Sequence, residues 1–207
     1  LMKDPDRATA IIRAVKSAIT VPLSVKLRLG WSRPDEILEF IKIVEDAGAD
    51  LVTIHGRTRA QGYSGVSDWG MIGRARELVQ IPVLANGDIH TAEAVARALD
   101  VTRAAGVLIA RGALGNPWIY REVSTYLATG QVPPPPTVAE RAAAMREHFE
   151  YIREFYGDAQ ACIQVRRVIH WFVTGTRGSR ELRLRGNLVS SIPEFEALAR
   201  EYEGTAA

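Results

Sequence analysis

Four short apolar segments, spaced about thirty residues apart and each ending in polar or glycine residues, limit what this chain can fold into. They are Leu23–Arg28, Leu51–Arg57, Pro82–Asp88 and Gly106–Gly112. Helical patterns fill the gaps. Residues from about 5 to 19 place Ala8, Ile11, Ile12, Val15 and Ile19 on one face. Asp35 to Gly48 carries a stripe of Ile37, Leu38, Ile41 and Val44. Further helices are predicted near Asp68–Val79, from a Thr91 cap to about Leu99, and from Pro117 to about Leu127. Strands alternating with helices predict a parallel sheet with helical cover. Their apolar residues at successive positions predict strands buried on both faces. A closed ring of such strands carries its chemistry at their C-terminal ends. An eight-stranded ring needs eight units, and this chain shows four.

The segment from Gly130 to Pro136 contains four consecutive prolines, a stiff extended run suited to a linker. Beyond Thr137 only helical patterns appear: Val138–Phe155, Ala159–Thr174 and a short last helix through Phe195, Leu198 and Tyr202. The expected organisation is an α/β domain over 1–130, a linker over 131–136 and a small all-α domain over 137–207. A near-balanced net charge of +2 removes any bulk argument for a polyanion partner, so a nucleic-acid footprint has to be local. The single cysteine, Cys162, excludes an internal disulfide and a multi-cysteine metal site, and fits a reducing cytosol. No apolar run reaches the ~18 residues of a membrane span. A chain that opens with Leu1 just ahead of a helix reads as cut from something longer.

Polar residues at the strand ends are the candidate site. Lys26 interrupts an apolar strand, with Arg28 pointing the same way. Burying such a lysine is costly unless it meets an anion, the plainer reading being a strand-end lysine reaching solvent. His55, Gly56, Arg57 and Arg59 form a polar cluster after the second strand, where a lone histidine would more often be a satisfied core residue. Asn86, Gly87 and Asp88 end the third strand, and the glycine would admit a ligand close to the backbone. By itself this triplet also reads as a turn. Arg111 and Gly112 precede a short helix, a combination that suits an anion. In the helical part Arg166, Arg167, Arg177, Arg180, Arg183 and Arg185 are opposed only by Glu181, with His170 and Trp171 among them. They form either an RNA surface or a solvated helix face over a core tryptophan.

The strings Val25-Lys26-Leu27-Arg28-Leu29-Gly30-Trp31, His55-Gly56-Arg57-Thr58-Arg59 with Gln61, Asn86-Gly87-Asp88-Ile89, and Arg111-Gly112-Ala113 with Gly115-Asn116-Pro117-Trp118 resemble the tRNA-dihydrouridine synthase family, in order and spacing. The tail, with Phe155-Tyr156-Gly157 and Arg166-Arg167 ahead of Trp171, resembles its bacterial B-type branch. The resemblance implies strands five to eight of a TIM (β/α)8 barrel followed by a helical domain that binds tRNA. It implies an FMN enzyme that uses NADPH or NADH to reduce a uridine in tRNA. Lys26, His55, Asn86, Gly87, Asp88, Ala110 and Arg111 would contact the flavin, while Arg57, Arg59, Arg166 and Arg167 would face uracil or RNA. The family's acid is a cysteine upstream of residue 1, so no catalytic residue is expected here, and Cys162 reads as core. No metal or membrane partner is implied. The full-length protein is expected to be a cytoplasmic monomer. Ala110 stands where the family usually has glycine, and Val168 where a histidine is common. Two other readings stay open: a different FMN barrel acting on a small molecule, and a non-catalytic tRNA-binding remnant.

Overall fold

A computed structural model describes residues 1–205. Chain order begins with α1 (Pro5–Ala18), β1 (Ser24–Arg28), α2 (Ile37–Asp46), β2 (Leu51–His55), α3 (Trp69–Arg76) and β3 (Val83–Asn86). It continues with α4 (Ala92–Thr102), β4 (Gly106–Leu108), α5 (Ile119–Thr129), α6 (Val138–Tyr156), α7 (Asp158–Val173), α8 (Ser179–Gly186) and α9 (Ile192–Gly204). Packing divides the chain into two compact units: residues 1–112 with 126–130, and residues 113–125 with the chain from 131 onward. The contact boundary therefore falls ahead of the proline run and passes through α5.

In the first unit the four strands form one parallel sheet in the order β1-β2-β3-β4. Helices α1, α3 and α4 start on a side-chain cap, whereas α2 continues from a 3-10 turn that Pro34 opens. Asp4 accepts from the Arg7 amide and Pro5 opens α1. Asp68 caps α3 through the Met71 amide, and Thr91 caps α4 through the Ala94 amide. Leu29, Ile37, Ile41, Val44, Val52, Ile54, Ile72 and Ala85 are fully buried between sheet and helices. The parallel register aligns Arg28 with His55, His55 with Asn86, and Asn86 with Leu108. One row of side chains thus crosses all four strand ends, because a parallel ladder keeps equivalent positions level.

Three expectations change. The central strand β2 is buried on both faces, but β1 is not: Ser24 and Lys26 are exposed on one of its faces. Ile11 and Val15, expected inside, are 44% and 40% exposed and line an apolar cavity beside β1. The fourth strand ends at Leu108, because the chain turns into a short 3-10 turn at Arg111–Ala113.

The second unit is helical. Its core gathers Met145, Phe149, Val165, Ile169, Phe195 and Tyr202, with the Phe149 and Phe195 ring centroids 4.1 Å apart. Thr137 and Glu140 form a reciprocal cap directly after the prolines: the Thr137 amide donates to Glu140 at 2.7 Å, and the Glu140 amide to Thr137 Oγ1 at 3.2 Å. Helix α8 has no counterpart in the sequence reading, because only Leu182 and Gly186 of its arginine-rich turns are buried. Gly115, at φ +68, sits so close to Trp171 that a Cβ there would lie 2.4 Å from the Trp171 carbonyl oxygen. Cys162 is buried, and burial, with Asp158 nearby, pushes its thiol pKa up.

Two outcomes follow from this packing. Gly115→Ala is expected to destabilise the helical unit by about 2–4 kcal/mol, combining left-handed strain with a backbone clash, read as a lowered midpoint in denaturant. Cys162 is expected to resist a thiol-specific reagent until the protein unfolds; rapid labelling of the native protein would contradict its burial.

Candidate functional site

The row of strand ends opens onto a cavity of about 240 Å³ lined by Lys26, Arg28, His55, Tyr63, Asn86, Gly87, Asp88, Ala110 and Arg111, among others. All seven residues expected to meet a cofactor lie on this one wall, although they come from four separate strand ends. Lys26 makes no hydrogen bond or ion pair among the described residues, and burial, then the neighbouring Arg28, lowers its pKa. Arg28 Nη1 donates to the carbonyls of Thr58 and Gly62, both at 2.9 Å. Arg111 reaches Asp88 at 3.6 Å and stacks over Tyr63, 4.5 Å from the ring centroid. Three cations and one carboxylate therefore border the space.

Beneath the cavity lies a buried clasp. Arg57 is 2% exposed. Its Nη1 and Nη2 donate to the two Asp88 carboxylate oxygens at 2.9 and 2.7 Å, a forked pairing. Its Nε donates to Ser64 O and its Nη2 to Gly65 O, and Nη1 also faces His55 Nε2 at 3.4 Å. All five of its N–H groups are engaged. Burial works to raise the Asp88 pKa, but bonds from Arg57 and the Ser67 amide hold the carboxyl below its usual value. Asp88 itself adopts φ +56, an uncommon backbone conformation held in place by these bonds.

Several expectations are thereby revised. Arg57 does not face a substrate, because its guanidinium is spent on Asp88 and on the 64–65 backbone. Asn86 lines the cavity, but its amide nitrogen donates to Leu108 O at 2.8 Å and ties β3 to β4. The space at Gly87 is filled by protein: a Cβ there would lie 2.3 Å from Ser67 Oγ and 2.7 Å from His55 Cδ2. Its missing side chain admits Ser67 and His55 rather than a ligand. Arg59 is exposed and lies over Trp31, on the apolar cavity rather than this one. Arg28 and Tyr63 were not among the residues singled out for a ligand. Strand alternation, which places Arg28 beside Lys26, was the signal for the first; nothing in the sequence marks Tyr63 beyond its polar, glycine-rich loop.

A second feature lies in the helical unit. A groove of about 510 Å³ is bordered by Ile163, Gln164, Arg166, Arg167, His170, Trp171 and Asn187. Arg166 Nε donates to Val189 O at 2.8 Å, so this guanidinium is partly anchored. Arg167 lies over the Trp171 ring at 5.6 Å, and His170 Nε2 meets Asn187 Oδ1 at 2.8 Å. Among the described residues no cluster of three or more His, Cys, Asp or Glu could hold a metal ion. No described helix is long and apolar enough to cross a membrane.

His55 is 6% exposed, and its pKa falls from 6.5 to about 4 through burial, then the charges of Arg28, Lys26 and Arg57, with Asp88 opposing. Its folded pKa lies below its unfolded one, so the unfolded chain binds more protons between these values. Stability is expected to be full above pH 6.5 and to fall as pH drops toward about 4. Burial gives His148 the same sign. Asp88 adds a further loss as pH falls through its lowered value. Urea titrations of wild type and His55→Gln across this range check the assignment: the variant is expected to show a shallower slope, and an unchanged slope contradicts it.

Residues 1–204 match the family described as Dihydrouridine synthase (Dus). The chain is similar to "Probable tRNA-dihydrouridine synthase 1" of Synechocystis, 38% identical over 207 residues, covering 100% of this chain and 58% of that protein. It is similar to "Probable tRNA-dihydrouridine synthase" of Rickettsia conorii, 38% identical over 92% of this chain and 58% of that protein. It is similar to "tRNA-dihydrouridine synthase B" of Pseudomonas putida, 39% identical over 90% of this chain and 56% of that protein. The chain thus spans less than two thirds of these relatives' lengths. On the family match and these identities, the chain belongs to the dihydrouridine synthase family.

Proposed function

We propose that this chain is the flavin-holding and RNA-holding part of a tRNA-dihydrouridine synthase. The observation that carries the reading is the cation-bordered cavity at the strand ends, with Lys26 unpartnered, in a chain of this family. Its donor set fits FMN: a phosphate is an anion, and Lys26, Arg28 and Arg111 outnumber the one carboxylate, Asp88, which Arg57 already neutralises. Lys26 and His55 would meet the flavin ring, and the backbone of 86–88 with Ala110 and Arg111 would hold the ribityl-phosphate end. Bound FMN, with NADPH or NADH as reductant, supplies the reducing equivalents that saturate the C5–C6 bond of a uridine. A cation near the pyrimidine edge of the flavin favours its reduced, anionic form, and Lys26 would supply that cation.

In this reading 1–130 is the second half of a TIM barrel, 131–136 a linker and 137–207 a helical tRNA-binding domain. Arg59, Arg166 and Arg167 would contact RNA, and Trp171, already under Arg167, offers a stacking face. The target uridine has to leave its stack, which costs a few kcal/mol and favours a loop base. The cysteine acid that the family resemblance implies would come from elsewhere in the whole protein, and Cys162, buried in the helical core, is not offered for that role. A cytoplasmic monomer suits this role.

Lys26→Ala is expected to lower flavin retention on purification by about tenfold, read from flavin absorbance per protein; full retention overturns the assignment. Arg166→Ala with Arg167→Ala is expected to weaken binding to bulk tRNA and to flatten its salt dependence by about one to two phosphate contacts. Flavin binding without any tRNA binding at low salt would favour a small-molecule oxidoreductase instead.

A further inference from the structure

We propose that Arg57, clasped by Asp88, is a positioning residue that fixes His55 in its Nδ1–H tautomer, so that the ring offers the cavity a hydrogen-bond donor for an oxygen acceptor.

The argument rests on donor identity. A guanidinium carries only donors and stays protonated. The His55 Nε2 that faces Arg57 Nη1 at 3.4 Å therefore accepts, and the ring's proton sits on Nδ1. Arg57 cannot swing away, because its other donors are held by Asp88, Ser64 and Gly65. The Cδ2–Nε2 edge of the ring also abuts Gly87, where a Cβ would lie 2.7 Å from Cδ2 and 3.1 Å from Nε2. The His55 ring is part of the cavity wall. Nδ1 has no partner among the described residues, and it is not one of their sealed, unsatisfied polar atoms. It is a free donor on an open wall.

The charges around the ring agree. Lys26 and Arg28 from β1 and Arg57 beside the ring oppose a second proton; Asp88 favours one and is outweighed. An uncharged ring of fixed tautomer can donate but cannot accept at Nδ1. The strained Asp88 conformation and the full coordination of Arg57 thereby acquire a purpose: they set which hydrogen His55 shows to a ligand.

The flavin enters only as the occupant named under the proposed function; the tautomer belongs to the protein without it. The test is long-range ¹H–¹⁵N NMR of the histidine rings at pH 7 in the unliganded protein, with His55→Gln assigning the signal. A protonated Nδ1 with an unprotonated Nε2 is expected, and the reverse pattern overturns the proposal without recourse to any further variant. Arg57→Met, with Asp88→Asn as the gentler variant, is expected to shift the ring toward Nε2–H in protein that still melts cooperatively. An unchanged pattern in both variants overturns the positioning role. FMN added to the wild type is expected to move the Nδ1–H resonance, and Arg57→Met to weaken FMN about tenfold. A bound flavin that leaves that resonance in place overturns the donor role. A protein that shows the Nδ1–H tautomer yet binds no FMN keeps this inference and loses the functional reading instead.

Discussion

The forked pair between Arg57 and Asp88 is the contact on which the strand-end site depends. It joins the loop after β2 to the turn after β3, and the donors left over reach Ser64, Gly65 and His55. A buried ion pair of this kind is a poor source of stability, because desolvation offsets most of its attraction. Its value is geometric. Removing either partner would strand a charge and loosen the 64–67 end of the loop, whose 57–62 end is held separately by Arg28 and by the amides of Arg59 and Ala60 on the Gly30 and Trp31 carbonyls. The cavity's electrostatics rest on the same pair. The single charge of Asp88 is shared between Arg57 and Arg111, so Lys26, Arg28 and Arg111 together leave a net positive charge toward the open space.

The parallel sheet supplies the second constraint. Because equivalent positions stay level across a parallel ladder, Arg28, His55, Asn86 and Leu108 form one row without any special sequence signal. Chemistry carried at successive strand ends is then gathered by topology alone. The helical unit works differently. Its core is built by aromatic pairs and by Tyr202, whose hydroxyl donates to Phe172 O at 2.9 Å, and its exposed arginines are displayed on that frame.

Much of this was legible in the residues. Strand and helix order follow from apolar spacing, and Thr91 and Thr137 mark helix starts because their hydroxyls have amides to accept from. Lys26, His55, Ala110 and Arg111 stand on the cavity wall as their strand-end positions suggest. Periodicity does not show which polar groups satisfy each other. The family resemblance implies that Arg57 faces uracil or RNA, whereas its partner Asp88 lies 31 positions away and only the fold brings them together. The glycine at 87 suggests an opening for a ligand, whereas the space of its missing side chain is taken by Ser67 and His55. Helix α8 shows no apolar stripe in the sequence because charge dominates it and burial touches only two of its residues.

The account turns on the strand-end cavity holding an anionic group against Lys26, Arg28 and Arg111. Equilibrium titration with FMN and with riboflavin, which differ only in the phosphate, tests this most directly. FMN is expected to bind at least about tenfold more tightly at low salt, with the difference shrinking as salt rises. Equal affinity for the two flavins would contradict the account.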